Sequence, residues 1–259
     1  RLSSAVVPTR YDVTLSVEPD QGRFSGSVAI QLHVREAVRR VTLHALELEI
    51  LEATVESGGV HYTVAVSADA GSETITLAVN REIAAGPAMV GLTFSGRLNQ
   101  QMKGLYEARS GNERYAFTQF EATDARRAFP CFDEPAIKAA FKITAVAPDH
   151  LVVLSNMDVE AESMDAAARC KTVTFAETPP MSTYLVALAV AKLECREALI
   201  DGTRVAVYAT PGQLALTGFA HEVMRACLPG LNAYFDLRYP LAKLDLVGVP
   251  DFAMGAMEN

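Results

Sequence analysis

Apolar and polar residues alternate along much of the first two hundred positions. Tyr11, Val13, Leu15 and Val17 alternate with Asp12, Thr14 and Ser16. A period of two marks a strand with one buried face. The period returns through Val28, Ile30, Leu32 and Val34, then through Val60, Tyr62, Val64 and Val66. It returns again at Ile75, Leu77 and Val79, and at Leu92 and Phe94. Turn-forming stretches separate the runs: PDQG at 19–22, SGG at 57–59, DAGS at 69–72 and AAGP at 84–87. Short strands with regular turns predict an antiparallel sandwich or a large curved sheet. LVVL at 151–154 and YLVALAVA at 184–191 are continuous apolar runs, which predict fully buried strands. No repeat of fixed period is present.

The pattern changes after about Cys195. TRVAVYAT at 203–210 predicts one more strand. Leu216, Phe219, Ala220, Val223, Cys227, Leu231 and Tyr234 then recur at three and four residues, a helical stripe. Pro229 lies inside it and predicts a kink or two shorter helices. KLDLVGVPDF at 243–252 predicts a closing strand. The division this implies is a β domain over 1–196 and a second, unfinished unit over 197–259. A unit that small rarely supplies a stable core by itself.

Composition narrows the function. Half of the 259 residues are apolar, 21% are charged, and the net charge is −8. An acidic chain is a poor partner for nucleic acid or an anionic membrane. No run approaches the roughly 18 apolar residues of a membrane span, and no secretory leader is visible. The chain begins at Arg1, so a native N-terminus is expected to be missing. Cys131, Cys170, Cys195 and Cys227 form no C-x-x-C pair, which reads as four reduced thiols in a cytoplasmic protein.

Three places could carry chemistry. His221–Glu222 begins like a zinc helix, but such a helix needs a second histidine at i+4, where this chain has Arg225. No metal site is read within the 259 residues, and His221 is taken as a helix-surface residue. The segment TQFEATDARRAFPCFDEPAIKAAF at 118–141 is dense in charge and has two internal prolines. It predicts a loop with a short helical turn after Thr123. Arg126 and Arg127 are the obvious partners for Glu121 or Asp124, and Glu121 reads either as one of those salt-bridged carboxylates or as a functional group. Last is the tail GAMEN at 255–259. As an exposed strand edge, Gly255–Met257 could accept a peptide by backbone hydrogen bonds, with Glu258 meeting one end of it. The bland alternative is a disordered terminus.

Together these stretches resemble the zinc aminopeptidases of the M1 family, the gluzincins, and most closely their puromycin-sensitive, cytosolic-type branch. GAMEN matches the family's exopeptidase motif, and 118–141 resembles its substrate-amine segment. YPLAKLDLVGVPDF at 239–252 and PTRYDVTL at 8–15 match the approach to that motif and the start of the N-terminal domain. The resemblance implies a mainly β fold. A large antiparallel, saddle-like N-terminal domain would precede the start of an α+β thermolysin-like catalytic domain. It implies that Glu121 and Glu258 bind the substrate's α-ammonium. Gln119 would line the first side-chain pocket, Gly255 and Ala256 would present backbone groups, and Met257 would shape the pocket. It also implies a cis peptide after Glu121. Zinc, its H-E-x-x-H ligands and the catalytic base lie beyond the motif in the family. The chain is therefore expected to be a fragment that recognises a peptide N-terminus, binds no zinc itself, is inactive alone, and has the missing catalytic domains as its partner. Two other readings share the architecture: a metal-free scaffold related to a transcription-initiation subunit, and an epoxide-hydrolysing relative. An intact amine clamp favours the peptidase.

Overall fold

The computed structural model describes residues 1–259. In chain order the strands begin with β1 (Val6–Glu18), β2 (Arg23–Val34), β3 (Val38–His44), β4 (Leu48–Ser57) and β5 (Val60–Tyr62). Next come β6 (Val64–Asp69), β7 (Thr74–Ile83), β8 (Gly86–Arg97), β9 (Gly104–Ser110) and β10 (Glu113–Gln119). After a loop follow β11 (Lys138–Pro148), β12 (Val152–Ser155), β13 (Val159–Asp165), β14 (Cys170–Phe175), β15 (Met181–Ser182) and β16 (Leu188–Ala191). The chain closes with β17 (Glu194–Ile200), β18 (Thr203–Ala209), helix α1 (Gly218–Phe235) and β19 (Lys243–Val247).

These strands make four sheets. The largest has nine strands, in the order β13-β14-β11-β1-β2-β8-β4-β5, with β15 also on β11. A three-stranded sheet (β3-β7-β6) and a four-stranded one (β12-β16-β10-β9) complete the β-rich part, and β17-β18-β19 forms a separate small sheet. The fold is mainly β, as the alternation predicts. It is not antiparallel throughout, because β1 pairs parallel with β11 and β18 pairs parallel with β19.

The period-two faces become the core. Tyr11, Val13, Leu15 and Val17 on β1 and Val28, Ile30, Leu32 and Val34 on β2 are all buried. They join a single cluster of 42 buried residues. The small last sheet has a core of only three: Ile200, Val205 and Leu228. It therefore depends on the larger part for support. Burial at about 25 cal/mol per Å² is the main driving term, and three side chains supply little of it. The division expected at 196/197 falls within β17.

Several local expectations are corrected. The Val60–Val66 run is split at Thr63 between two sheets, and Val66 stays exposed. The first half of the 184–191 run is a 3-10 turn (Thr183–Leu185), not a strand. Helix α1 runs unbroken through Pro229. Its apolar stripe faces outward, with Phe219 77% and Tyr234 81% exposed. The inner face is instead His221, Met224 and Leu228, at i, i+3 and i+7, and Met224 and Leu228 pack with Ile200, Val205, Leu244 and Leu246. The last strand stops at Val247. The Gly248 amide still donates to the Tyr208 carbonyl at 2.8 Å, but Pro250 has no N–H with which to continue a ladder.

Candidate functional site

The loop after β10 is held by two kinds of anchor. Phe120, Phe129 and Phe132 are buried. Tyr11 stacks on Phe141 at 4.7 Å and meets Phe129 edge-on. The Tyr11 hydroxyl accepts the Phe132 N–H at 3.1 Å. Burial, followed by the nearby Cys131, pushes the Tyr11 hydroxyl well above the ordinary tyrosine range. A 3-10 turn over Ala125–Arg127 lies where the sequence predicts one.

The second anchor is polar. Arg126 is 8% exposed and Asp133 2%. Arg126 Nε donates to Asp133 Oδ2 at 3.0 Å, Nη2 to the Asp133 carbonyl at 3.1 Å, and Nη1 to Glu73 Oε2 at 2.7 Å. Thr183 Oγ1 donates to Asp133 Oδ1 at 2.6 Å. The Asp133 N–H donates to His44 Nδ1 at 3.2 Å. Burial alone would lower the Arg126 pKa, but the hydrogen bonds and charges of Asp133 and Glu73 outweigh it and raise it. Arg127 binds Asp124 at 2.7 Å and Glu47 at 2.6 Å. The expected Arg127–Asp124 pair is thus present. Glu121 has no arginine partner, because Arg126 turns inward to Asp133 and Glu73. Gly104, opposite Gln119 in the β9–β10 register, has φ +67°, and a Cβ there would fall 2.7 Å from Arg127 Cβ. Only glycine lets the two segments approach this closely.

Glu121, Ala122 and Thr123 stand exposed on this braced loop. The Glu121–Ala122 peptide is cis, as the resemblance implies. Gln119 points inward and is 3% exposed. Its Nε2 lies 3.8 Å from Met257 Sδ, and its Oε1 is buried with no partner in the protein. The fold therefore brings Gln119 against Met257, 138 residues apart in the chain. Glu121 follows Gln119 by two positions, and Glu258 is next to Met257. Gly255, Ala256 and Glu258 are exposed. Residues 253–259 form bends and coil, so Gly255–Met257 is not a strand edge. No strand pairs with it to hold it extended.

His221 is not a surface residue: it is buried, and its Nε2 has no partner. The helix rotation that turns the apolar stripe outward puts it inside. No three His, Cys, Asp or Glu side chains gather as a metal would require, and Arg225 occupies the i+4 place. The four cysteines are unpaired, and no helix is long and apolar enough to cross a membrane.

Sequence reasoning missed the Arg126–Asp133–His44 network, and separately the contacts of Asp251 with the Tyr106 hydroxyl and the Arg109 backbone N–H. Charge density at 118–141 was a signal for the first. For Asp251 the signal was a lone carboxylate in an otherwise apolar stretch, 247–254.

His44 yields a pH prediction. Burial lowers its pKa, and the Arg126 charge lowers it further against weaker opposition from Asp133 and Glu134. The ring is neutral when folded, with Nδ1 accepting. As pH falls through about 6.5, the unfolded chain takes up a proton that the folded chain refuses. Stability should therefore decrease as pH drops from about 7 to 5. His44→Gln, which does not titrate, should flatten that part of the curve. Urea midpoints measured at several pH values would check this, and equal slopes for the two proteins would refute it.

A mainly β architecture whose charged, proline-bearing loop meets a Gly-Ala-Met-Glu-Asn tail defines a class, and comparison agrees. The peptidase M1 N-terminal domain model matches residues 7–185, and the peptidase family M1 domain model matches 219–259. The chain belongs to peptidase family M1. Among its relatives, aminopeptidase M1-C of Oryza sativa subsp. japonica is 39% identical over 264 residues, covering 100% of this chain and 30% of its own length. The puromycin-sensitive aminopeptidase of Caenorhabditis elegans is 38% identical over 267 residues, covering 100% and 28%. The alanine/arginine aminopeptidase of Saccharomyces cerevisiae is 40% identical over 268 residues, covering 100% and 31%. The chain thus spans about 30% of the length of such relatives.

Proposed function

We propose that this chain is the amine-recognising part of a zinc aminopeptidase, which removes N-terminal residues from peptides. In this reading Glu121 and Glu258 hold the substrate's α-ammonium, and Gln119 and Met257 line the pocket for the first side chain. Gly255 and Ala256 offer backbone groups to the peptide. The carrying observation is the contact between Gln119 and Met257, which brings the two motif segments together and leaves a buried acceptor, Gln119 Oε1, without a donor. An α-amine has a pKa near 8 and is largely cationic at neutral pH. Two carboxylates on a braced loop and tail would select it over blocked or internal amines, and fixing the amine fixes which peptide bond is presented. Residues 1–196 are the β domain in this reading, and 197–259 begin the catalytic domain. The two family models, matching on either side of that division, support it. Zinc and peptide-bond chemistry belong to the whole protein, and the 259 residues alone are inactive. The four free thiols favour a cytoplasmic setting.

In the full-length protein, Glu121→Ala and Glu258→Ala should each raise KM for an aminoacyl anilide by about 10- to 100-fold, the worth of a charge-assisted hydrogen bond of about 1.5–3 kcal/mol. Neither variant should change the already poor turnover of the N-acetylated substrate. An unchanged KM in both variants would sink the reading. Hydrolysis by the purified 259-residue chain above that of its own Glu258→Ala control would overturn its inactivity alone.

A further inference from the structure

Beyond β19 the chain has no element of its own to hold it. After the Gly248 amide bonds the Tyr208 carbonyl, residues 249–259 make three polar contacts with the rest of the molecule. One is the Gln119–Met257 contact. The other two converge on Asp251. Its carbonyl accepts the Tyr106 hydroxyl at 2.9 Å, and its Oδ2 accepts the Arg109 backbone N–H at 3.1 Å. We propose that Asp251 is a positioning residue that pins the Glu258-bearing tail to the sheet carrying Gln119, and so sets the spacing between the halves of the amine site. The inference rests on the amine-recognition reading above.

The geometry suits a pin. Tyr106 is wholly buried on β9, and it pairs with Phe117 on β10, two residues before Gln119. Tyr106 and Gln119 therefore belong to one rigid sheet with a fixed spacing. β9 is the edge of that sheet, so an N–H pointing off it has no strand to pair with. Asp251 Oδ2 takes the Arg109 N–H on that edge. Val247 and Val249 pack on the same sheet, against the cluster of Tyr106, Ala108, Tyr115 and Phe117. Apolar packing alone lets a segment slide, whereas two hydrogen bonds at one residue fix its register. Asp251 lies four positions before Gly255, close enough to limit where the tail can go. Without it, the freed residues regain backbone entropy, which substrate binding would have to overcome.

The test has two arms. In the full-length protein, Asp251→Ala should raise KM for an aminoacyl anilide about tenfold with kcat within about twofold, the pattern of lost ground-state positioning. Asp251→Asn keeps an oxygen acceptor for the Arg109 N–H and should stay within about threefold of wild type, so the hydrogen bond, not the charge, carries the effect. In the 259-residue chain, chymotrypsin cleavage after Phe252, measured against cleavage after exposed Tyr234 in the same digest, should be about tenfold faster in Asp251→Ala and restored in Asp251→Asn. Tyr106→Phe, which removes the other bond, should move the same ratio in the same direction. Unchanged cleavage in both Asp251→Ala and Tyr106→Phe overturns the pin. If Glu258→Ala raises KM but Asp251→Ala does not, the positioning role falls and amine recognition stands. If neither Glu121→Ala nor Glu258→Ala moves KM, amine recognition falls, and the cleavage ratio alone decides whether Asp251 pins the tail.

Discussion

Asp133→Ala is expected to cost about 3–5 kcal/mol of stability, the usual result of removing one partner from a buried ion pair. The carboxylate satisfies three donors: Arg126 Nε, the Arg126 backbone N–H and Thr183 Oγ1. Without it Arg126 keeps only Glu73, which is itself 39% exposed, and the Asp133 carbonyl. A guanidinium would then sit buried with too few acceptors, and the Thr183 hydroxyl would lose its partner. Asp133→Asn keeps the shape and one acceptor, and should cost roughly half as much. Urea unfolding of the 259-residue chain would give both numbers. A loss below about 1 kcal/mol for Asp133→Ala would mean that Arg126 escapes to water and that the network is not a brace. The functional consequence follows from the same contacts. The 120–134 loop carries Glu121, so Asp133→Ala should also impair the amine recognition proposed for the full-length protein even where the fold survives.

Lys243→Met is the second large effect, at about 3 kcal/mol. Lys243 is buried, donates to the Ser155 carbonyl at 2.7 Å and pairs with Asp245 Oδ2. The other oxygen, Asp245 Oδ1, already lacks a partner. Removing the ammonium leaves a whole carboxylate desolvated, and leaves the β12 carbonyl unbonded. Burial, reinforced by the Asp245 charge, already pushes the Tyr208 hydroxyl up to about 12, so the pocket has little capacity for uncompensated negative charge. The double variant Lys243→Met, Asp245→Leu should recover most of the loss, since a buried pair can be replaced by apolar groups at little cost. Thermal melts of the single and double variants decide it, and a double variant no better than the single would refute the account. The bond from Lys243 to Ser155 also joins the small last sheet to the larger part. Arg204–Asp158 is a second, more exposed tie across the same boundary.

Much of the fold was legible in the residues. Alternation at 11–17, 28–34, 75–79 and 92–94 found faces that are buried, because a half-buried strand has no other way to hide its apolar side chains. The motif segments at 118–141 and 255–259 were legible too, and so was the short turn after Thr123. Periodicity could not decide which face of α1 turns inward. Two stripes of similar spacing exist on that helix, and only the shape of the β17-β18-β19 sheet chooses between them. The choice buries His221 and exposes Phe219 and Tyr234. Parallel pairing of β1 with β11 was equally invisible, because a strand's own pattern does not encode its neighbour's direction.

By itself the sequence determined the class of fold, the family and the two segments that carry the resemblance, since all three reside in local pattern and residue type. The tertiary structure alone decided the partnerships: Arg126 with Asp133 rather than Glu121, Gln119 with Met257, and Asp251 on the edge of β9. Each joins residues whose meeting depends on how sheets pack, and such long-range contacts leave no trace in the spacing of either segment.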